Sequence, residues 1–308
     1  MSGNKEYDIN EIKEHFVASE TIEEAFIRGN GAILMGYNCL HYTTLSRLYQ
    51  KLATKRWWLT RSDSVRLNDA QECRKYGDSE LLSRTFQGSF SLGAAESAAM
   101  WVLYNKAMPH GVMVSIGKKA MKDWRQKIKE CKMDVRLEYP SKRMIEEKSR
   151  TLSLKEVESA DLRDVIYAAT SFSNDKKDNY DKKRRNTLTW LDVTTREIEN
   201  LDKEITCQNV TGWIKDYEWR HENETRISVR LKKSTVKMPE HISIAIPEDV
   251  IKSMRFTLSP WLSEKCFEEV ASQLRAVISP YYGGIEKVPS NLVRRSSIAG
   301  ALDWWLKN

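Results

Sequence analysis

The run Cys39-Leu40-His41-Tyr42-Thr43-Thr44-Leu45 changes its periodicity in the middle. Cys39 to Tyr42 reads as a strand, and Thr43 or Thr44 then offers a side-chain oxygen to cap a helix. The apolar face of that helix is Leu45, Leu48, Tyr49 and Leu52, the i, i+3, i+4, i+7 spacing of one helical stripe. One histidine, His41, is thereby set in an otherwise apolar strand.

Outward from this run the two periods keep mixing. Trp57 to Thr60 and Phe86 to Leu92 read as strands, Ala94 to Lys106 as a helix carrying Met100, Trp101 and Tyr104, and Val112 to Ile116 as another strand. Lys119 to Cys131 is a basic amphipathic helix, Met133 to Tyr139 a strand and Leu154 to Phe172 a helix. Further helices are expected over Thr195 to Cys207 and Leu262 to Val277, and strands over Ile242 to Ile246, Met254 to Leu258 and Ile285 to Val288. No regular βαβ alternation and no internal repeat is visible, so the expectation is an α+β fold rather than a doubly wound sheet. A helical extension over residues 1–36 precedes one domain over 37–292 and a tail over 293–308. The Asp-, Lys-, Arg- and Asn-rich run near 174–186 has almost nothing to bury and is expected as an exposed, mobile loop.

A chain of 308 residues that is 41% hydrophobic can fill a core. Fifty basic against 43 acidic residues give a net charge of +7, which favours polyanionic partners such as RNA or DNA. The lysine-rich segments Lys118 to Lys132 and Lys176 to Arg185 carry much of that charge. The five cysteines are scattered without a C-x-x-C pair, which predicts buried, reduced thiols. Met1 to Glu6 has no apolar signal core, and Ala32-Ile33-Leu34-Met35 is too short to span a bilayer, so a cytoplasmic protein without membrane attachment is expected.

Several familiar chemistries fail on spacing. Gly111 to Lys119 imitates a phosphate-binding loop but has one residue too many between its glycines and no Ser or Thr after the lysine. Gly29-Asn30-Gly31 lacks the third glycine of a dinucleotide fingerprint and follows a helix. The five histidines form no H-x-x-x-H pair, and no G-x-S-x-G elbow is present.

Ordered clusters remain. They are His41-Tyr42-Thr43, Asn68-Asp69-x-x-Glu72, Ser89 to Ser91 with Met100-Trp101-x-x-Tyr104, and Trp219-x-x-Glu222-x-Glu224-x-Arg226. In this order they resemble an uncharacterised bacterial family of domains of unknown function, over about Cys39 to Ser290. The His-Tyr-Thr opening, followed by a helix and a strand, is also similar to the start of ADP-ribosyltransferases of toxin and phage-defence type.

That second resemblance implies an ADP-ribosyltransferase-like split β-sheet core decorated with helices, NAD as substrate and no metal. It implies an enzyme whose strand histidine holds NAD and whose late glutamate promotes transfer, in a toxin or phage-defence effector acting on nucleic acid. Glu224 is then the catalytic carboxylate, because cleavage at the ribose passes through an oxocarbenium-like state that a carboxylate stabilises. If Glu222 to Val229 is a strand, Glu222, Glu224 and Arg226 share one face. Glu222 would polarise the acceptor and Arg226 would orient a carboxylate or hold a phosphate. His41 would hydrogen-bond the ribose, Tyr42, Thr43 and Asn68 would complete the NAD site, and Tyr104 or Trp101 would stack on nicotinamide.

Plainer roles stand beside these. His41 can be a satisfied core histidine, Trp101 and Tyr104 can be core, and Glu222 with Arg226 would be an ordinary i,i+4 pair if that segment were helical. Asn68 and Asp69 can simply cap a turn. The tail tryptophans Trp304 and Trp305 either pack on the domain or anchor a partner such as an antitoxin or chaperone. The alternative to an enzyme is a non-catalytic nucleic-acid-binding or protein-interaction module of the same fold. A nuclease is a third reading, without a convincing acidic cluster.

Overall fold

The computed structural model describes residues 38–64, 79–93, 95–105, 109–130, 134–138, 149–151, 156–168, 191–192, 196–197, 213–233 and 238–299. The expected extension over 1–36, Asn68, the 174–186 loop and the Trp304-Trp305 tail lie outside them.

Strand β1 (Asn38–Thr44) runs directly into helix α1 (Leu45–Thr54). Thr44 is the cap: its backbone is extended and its hydroxyl accepts from the Arg47 amide at 3.4 Å. After β2 (Arg56–Arg61) and α2 (Ser79–Ser83) come β3 (Thr85–Gly93), α3 (Ala98–Asn105), β4 (Gly111–Ile116) and α4 (Lys118–Lys129). Strands β5 (Val135–Glu138), β6 (Ser149–Thr151), β7 (Val157–Asp164), β8 (Ile166–Ala168) and β9 (Ile214–Asp216) lead to a 3₁₀ turn over Tyr217–Glu222 and to β10 (Glu224–Leu231). The described chain closes with β11 (His241–Ala245), α5 (Glu248–Ser253), β12 (Arg255–Leu258), α6 (Glu264–Tyr282) and β13 (Val293–Arg294).

Strand β3 organises the sheet. One of its edges pairs antiparallel with β10 from Thr85↔Arg230 to Ser91↔Glu224. The other edge is shared, because Ser91 also faces Leu40 of β1 while Gln87 and Phe86 also face Thr60 and Arg61 of β2. Two arms therefore leave the same edge, β1-β4-β12-β13 and β2-β11-β5-β6, and Gly88, Ser89 and Phe90 lie in the fork between them. A Cβ at Gly88 would stand 2.7 Å from Leu59 Cδ2 and 3.2 Å from Trp57 Nε1, so a larger residue there must displace packed side chains. The mostly antiparallel sheet with its helices is the expected α+β class, and the fork is the expected split.

The alternation of β1 separates two packing faces. Cys39 joins the main core, built with α1, α4, α5 and α6 through residues such as Leu48, Trp124, Ile251 and Leu274. Leu40 and Tyr42 point the other way, into a smaller cluster with Met100 and Trp101 of α3 and Met113 of β4. Burial of such side chains stabilises each layer by roughly 1.5–3 kcal/mol per large residue.

Some expectations are corrected here. The described part of the expected Leu154 to Phe172 helix, residues 156–168, is strand instead: it holds β7, which pairs along the outer edge of β10 with a register shift between Arg230 and Leu231 and buries Val157 and Leu162. Backbone pairing to a waiting edge overrides helical propensity. Ile285–Lys287 is a 3₁₀ turn, and the last strand is Val293–Arg294, parallel to β12, so the sheet continues into the expected tail. Arg196–Glu197, inside the expected Thr195 to Cys207 helix, pairs as a strand with Leu191–Asp192. Cys39 is buried but Cys266 is exposed, against the expectation of buried thiols.

Candidate active site

A small cleft of about 90 Å³ opens on the α3 face of the sheet, over β1, β3 and the start of β10. Leu40, Tyr42, Met100 and Tyr104 form one wall and Glu222 and Glu224 the other, with Ser89 and Ser91 between them.

The two carboxylates do not share a strand, contrary to the expectation for Glu222 to Val229. Glu222 ends the 3₁₀ turn and Glu224 begins β10, with Asn223 between them in the left-handed region at φ 42°. Asparagine tolerates that region better than most side chains. The Asn223 side-chain amide donates to the Leu92 carbonyl at 2.7 Å, and the Asn223 carbonyl accepts from the Leu92 amide at 2.7 Å. This clamp turns the chain so that both carboxylates meet the same cleft.

Both are buried and both are paired. Glu224 takes a two-point bond from Arg226, Nε to Oε1 at 2.7 Å and Nη2 to Oε2 at 2.8 Å, and Lys215 lies 3.4 Å from Oε2. Glu222 accepts from the Tyr104 hydroxyl at 2.7 Å and from Lys215. Two negative and two positive groups thus offset each other out of water, which is the condition under which buried charge is tolerated. Burial pushes the Glu224 pKa up, but the charges of Arg226 and Lys215 and hydrogen bonds from Arg226 and the Ser89 hydroxyl outweigh it and bring it from 4.5 to about 2. Glu224 is a carboxylate at every ordinary pH.

His41 helps line the cleft, but its ring packs on the opposite face, 4.6 Å from Trp57 and 5.7 Å from Phe90 between centroids. Its Nδ1 lies 3.1 Å from the Ser89 carbonyl and its Nε2 2.6 Å from Lys51 Nζ. Both ring nitrogens are engaged within the fold, so the expected hydrogen bond from His41 to a ribose has no nitrogen to make it. Burial first, then the charge of Lys51, holds the His41 pKa well below 6.5. It is a neutral ring at neutral pH.

The remaining predicted residues divide. Tyr42 lines the cleft, with its hydroxyl accepting from the Ser97 amide at 2.9 Å. Tyr104 reaches the cleft, whereas Trp101 is fully buried, with its indole donating to Glu96 at 3.1 Å, and has no face to offer a ligand. Thr43 is buried and does not line the cleft. Arg226 stands behind Glu224, its guanidinium spent on that carboxylate rather than offered to a phosphate.

Sequence reasoning missed Lys51, Lys215 and the part played by Ser89. Lys51 follows Leu48 by three residues and so sits on the apolar stripe of α1, a visible sign of a buried lysine. Nothing in the sequence marks Lys215. Among the described residues no group of three or more His, Cys, Asp or Glu side chains is placed to hold a metal ion, and no helix is long and apolar enough to cross a membrane.

No protein-family model and no curated protein matches the chain. Among solved structures, Thermus sp. 2.9 DarT in complex with NAD+ is similar over 84% of this chain and 94% of that chain, at 10% identity and a TM-score of 0.30. A likeness of that degree carries no argument about activity, and the site above stands on its own residues.

Proposed function

We propose that this chain is an NAD-dependent ADP-ribosyltransferase whose reacting ribose is held in the cleft between Tyr104 and Glu224. One observation carries the reading: an ionised carboxylate, Glu224, fixed by Arg226 and Ser89 in the wall of a cleft that also presents an aromatic ring and a second carboxylate. The cleft's mix of apolar walls and few polar groups is what small-molecule sites use.

Breaking the bond between nicotinamide nitrogen and ribose carbon leaves positive charge on the sugar. A carboxylate already desolvated and oriented stabilises that charge without reorganising. Glu224 has that role, and Tyr104 offers a ring face to the flat nicotinamide. Glu222, held by Tyr104 and Lys215, stands where it would polarise an acceptor hydroxyl or amine. His41 acts from within the fold rather than on the substrate.

A nucleic-acid acceptor accords with the net charge of +7 and with the basic helix α4. Incubation with adenine-labelled NAD and separate pools of RNA, DNA and protein tests this. Label appearing in the RNA or DNA pool is the expected result. Label in protein alone overturns the acceptor assignment, and wild-type chain that neither binds nor consumes NAD overturns the enzyme assignment.

A further inference from the structure

Lys51 is 7% exposed, yet its ammonium carbon stem and nitrogen meet only soft partners among the described contacts: the Trp57 ring at 3.8 Å and His41 Nε2 at 2.6 Å. A buried lysine held against a neutral imidazole rather than a carboxylate is costly to the fold. The geometry fixes what it does. The Ser89 carbonyl can only accept, so His41 Nδ1 carries the proton that faces it at 3.1 Å. In a neutral ring Nε2 is then bare, and Lys51 is the group that donates to it.

The chain of contacts continues beyond the histidine. Ser89 lies in the fork of the sheet, where neither arm pairs with it, so the His41 contact ties the open edge of β3 to β1. The Ser89 hydroxyl in turn donates to Glu224, on the cleft face of the same strand.

We propose that Lys51 is a positioning residue for Glu224: by donating to Nε2 it locks His41 in the Nδ1–H form that the Ser89 carbonyl selects, His41 holds the Ser89 backbone in the fork, and the Ser89 hydroxyl orients the Glu224 carboxylate. The link to Glu224 as a reacting group rests on the proposed function, whereas the tautomer lock does not. Burial, with a smaller contribution from Arg47, brings the Lys51 pKa from 10.5 down to about 7. The ammonium can only donate to Nε2; the free amine still has an N–H to give but can also accept, so above that pKa the Ser89 carbonyl contact keeps the proton on Nδ1. Trp57 and Phe90, the rings packed against the pair, carry no charge, and Arg47, one turn earlier on α1, is the charge that acts on both members.

The test is ¹⁵N NMR of histidine-labelled full-length chain, wild type and Lys51→Met, from pH 6 to 9, with nicotinamide release from NAD measured on the same samples. The expected result is a single Nδ1–H signature for His41 in the wild type throughout, and mixed tautomers in Lys51→Met. With NAD, the variant loses kcat on the order of tenfold with KM nearly unchanged, as a misplaced group does, and Lys51→Arg recovers part of it. Wild-type His41 protonated on Nε2, or a variant that keeps the wild-type tautomer, overturns the proposal whatever NAD does. A lost lock with unchanged kcat overturns the link to Glu224. If the wild type is inert toward NAD, the proposed function falls and the tautomer result still decides the lock.

Discussion

His41 and Glu224, the first and last of the residues singled out by motif order, are joined through one residue: the Ser89 carbonyl faces His41 Nδ1 at 3.1 Å and the Ser89 hydroxyl donates to Glu224. They approach Ser89 from opposite faces of the sheet. The relation between the two motifs is therefore mechanical, and only Glu224 faces the cleft with its functional group.

Tyr104 separates two contributions. Tyr104→Phe keeps the ring and removes the hydrogen bond to Glu222, so NAD binding measured by titration calorimetry weakens by about threefold or less while stability falls by about 1.5–3 kcal/mol, the range for a bond to a charged group. Tyr104→Ala removes the ring as well and weakens binding by about tenfold or more.

Arg226 and Glu224 stand or fall together. Arg226→Met leaves Glu224 with one fewer cation in a site where the carboxylate is 4% exposed, and destabilises by about 3–5 kcal/mol in chemical denaturation. The double substitution Glu224→Leu with Arg226→Met costs less than the sum of the single changes, because no unpaired charge is left by that pair.

Asn223 controls the approach of the two carboxylates. Asn223→Gly keeps the left-handed turn and loses only the bond to Leu92, whereas Asn223→Val adds the steric cost of a branched side chain at φ 42°. The valine variant melts lower than the glycine variant by about 1–2 kcal/mol in unfolding free energy, and binds NAD less tightly.

Stability depends on pH through Lys51 with a definite sign. The unfolded lysine keeps its proton to about 10.5, the folded one to about 7, so across that window the unfolded chain binds more protons and stability rises with pH, by up to about 1.4 kcal/mol per unit. Below the window the penalty is complete. Lys51→Met lacks this slope, and the difference between the two denaturation series from pH 7 to 9.5 measures it. On the acid side, His41 and Glu224 both lower stability, since the first resists protonation below 6.5 and the second between 4.5 and about 2 in the fold but not in the unfolded chain.

Much of this was legible in the residues. The period change at Cys39 to Leu45 gives β1 and α1 nearly to the residue, and the alternation around Ser89 gives β3. Tyr104, Glu222 and Glu224 were found by motif order, and they line one cleft. The failures share a cause in long-range pairing. Val157 to Asp164 became a strand because β10 offered an edge about 60 to 75 residues away in sequence, a separation that no local window sees. Trp101 and Tyr104 lie three apart on α3, and only the packing of the Glu96 contact decides that the first is sealed and the second exposed to the cleft. Lys215 reaches Glu222 through a chain turn that spacing does not announce.

The central claim, that Glu224 in this cleft promotes cleavage of NAD, is tested most directly by the rate of nicotinamide release from NAD by wild type and by Glu224→Gln, with the melting curve of each recorded alongside. The account predicts release by the wild type and a loss of about a hundredfold or more in the fraction of Glu224→Gln that remains folded, in line with removal of a preorganised charge. Wild-type chain that releases no nicotinamide above the uncatalysed rate, or a folded Glu224→Gln chain that releases it as fast as the wild type, would contradict it.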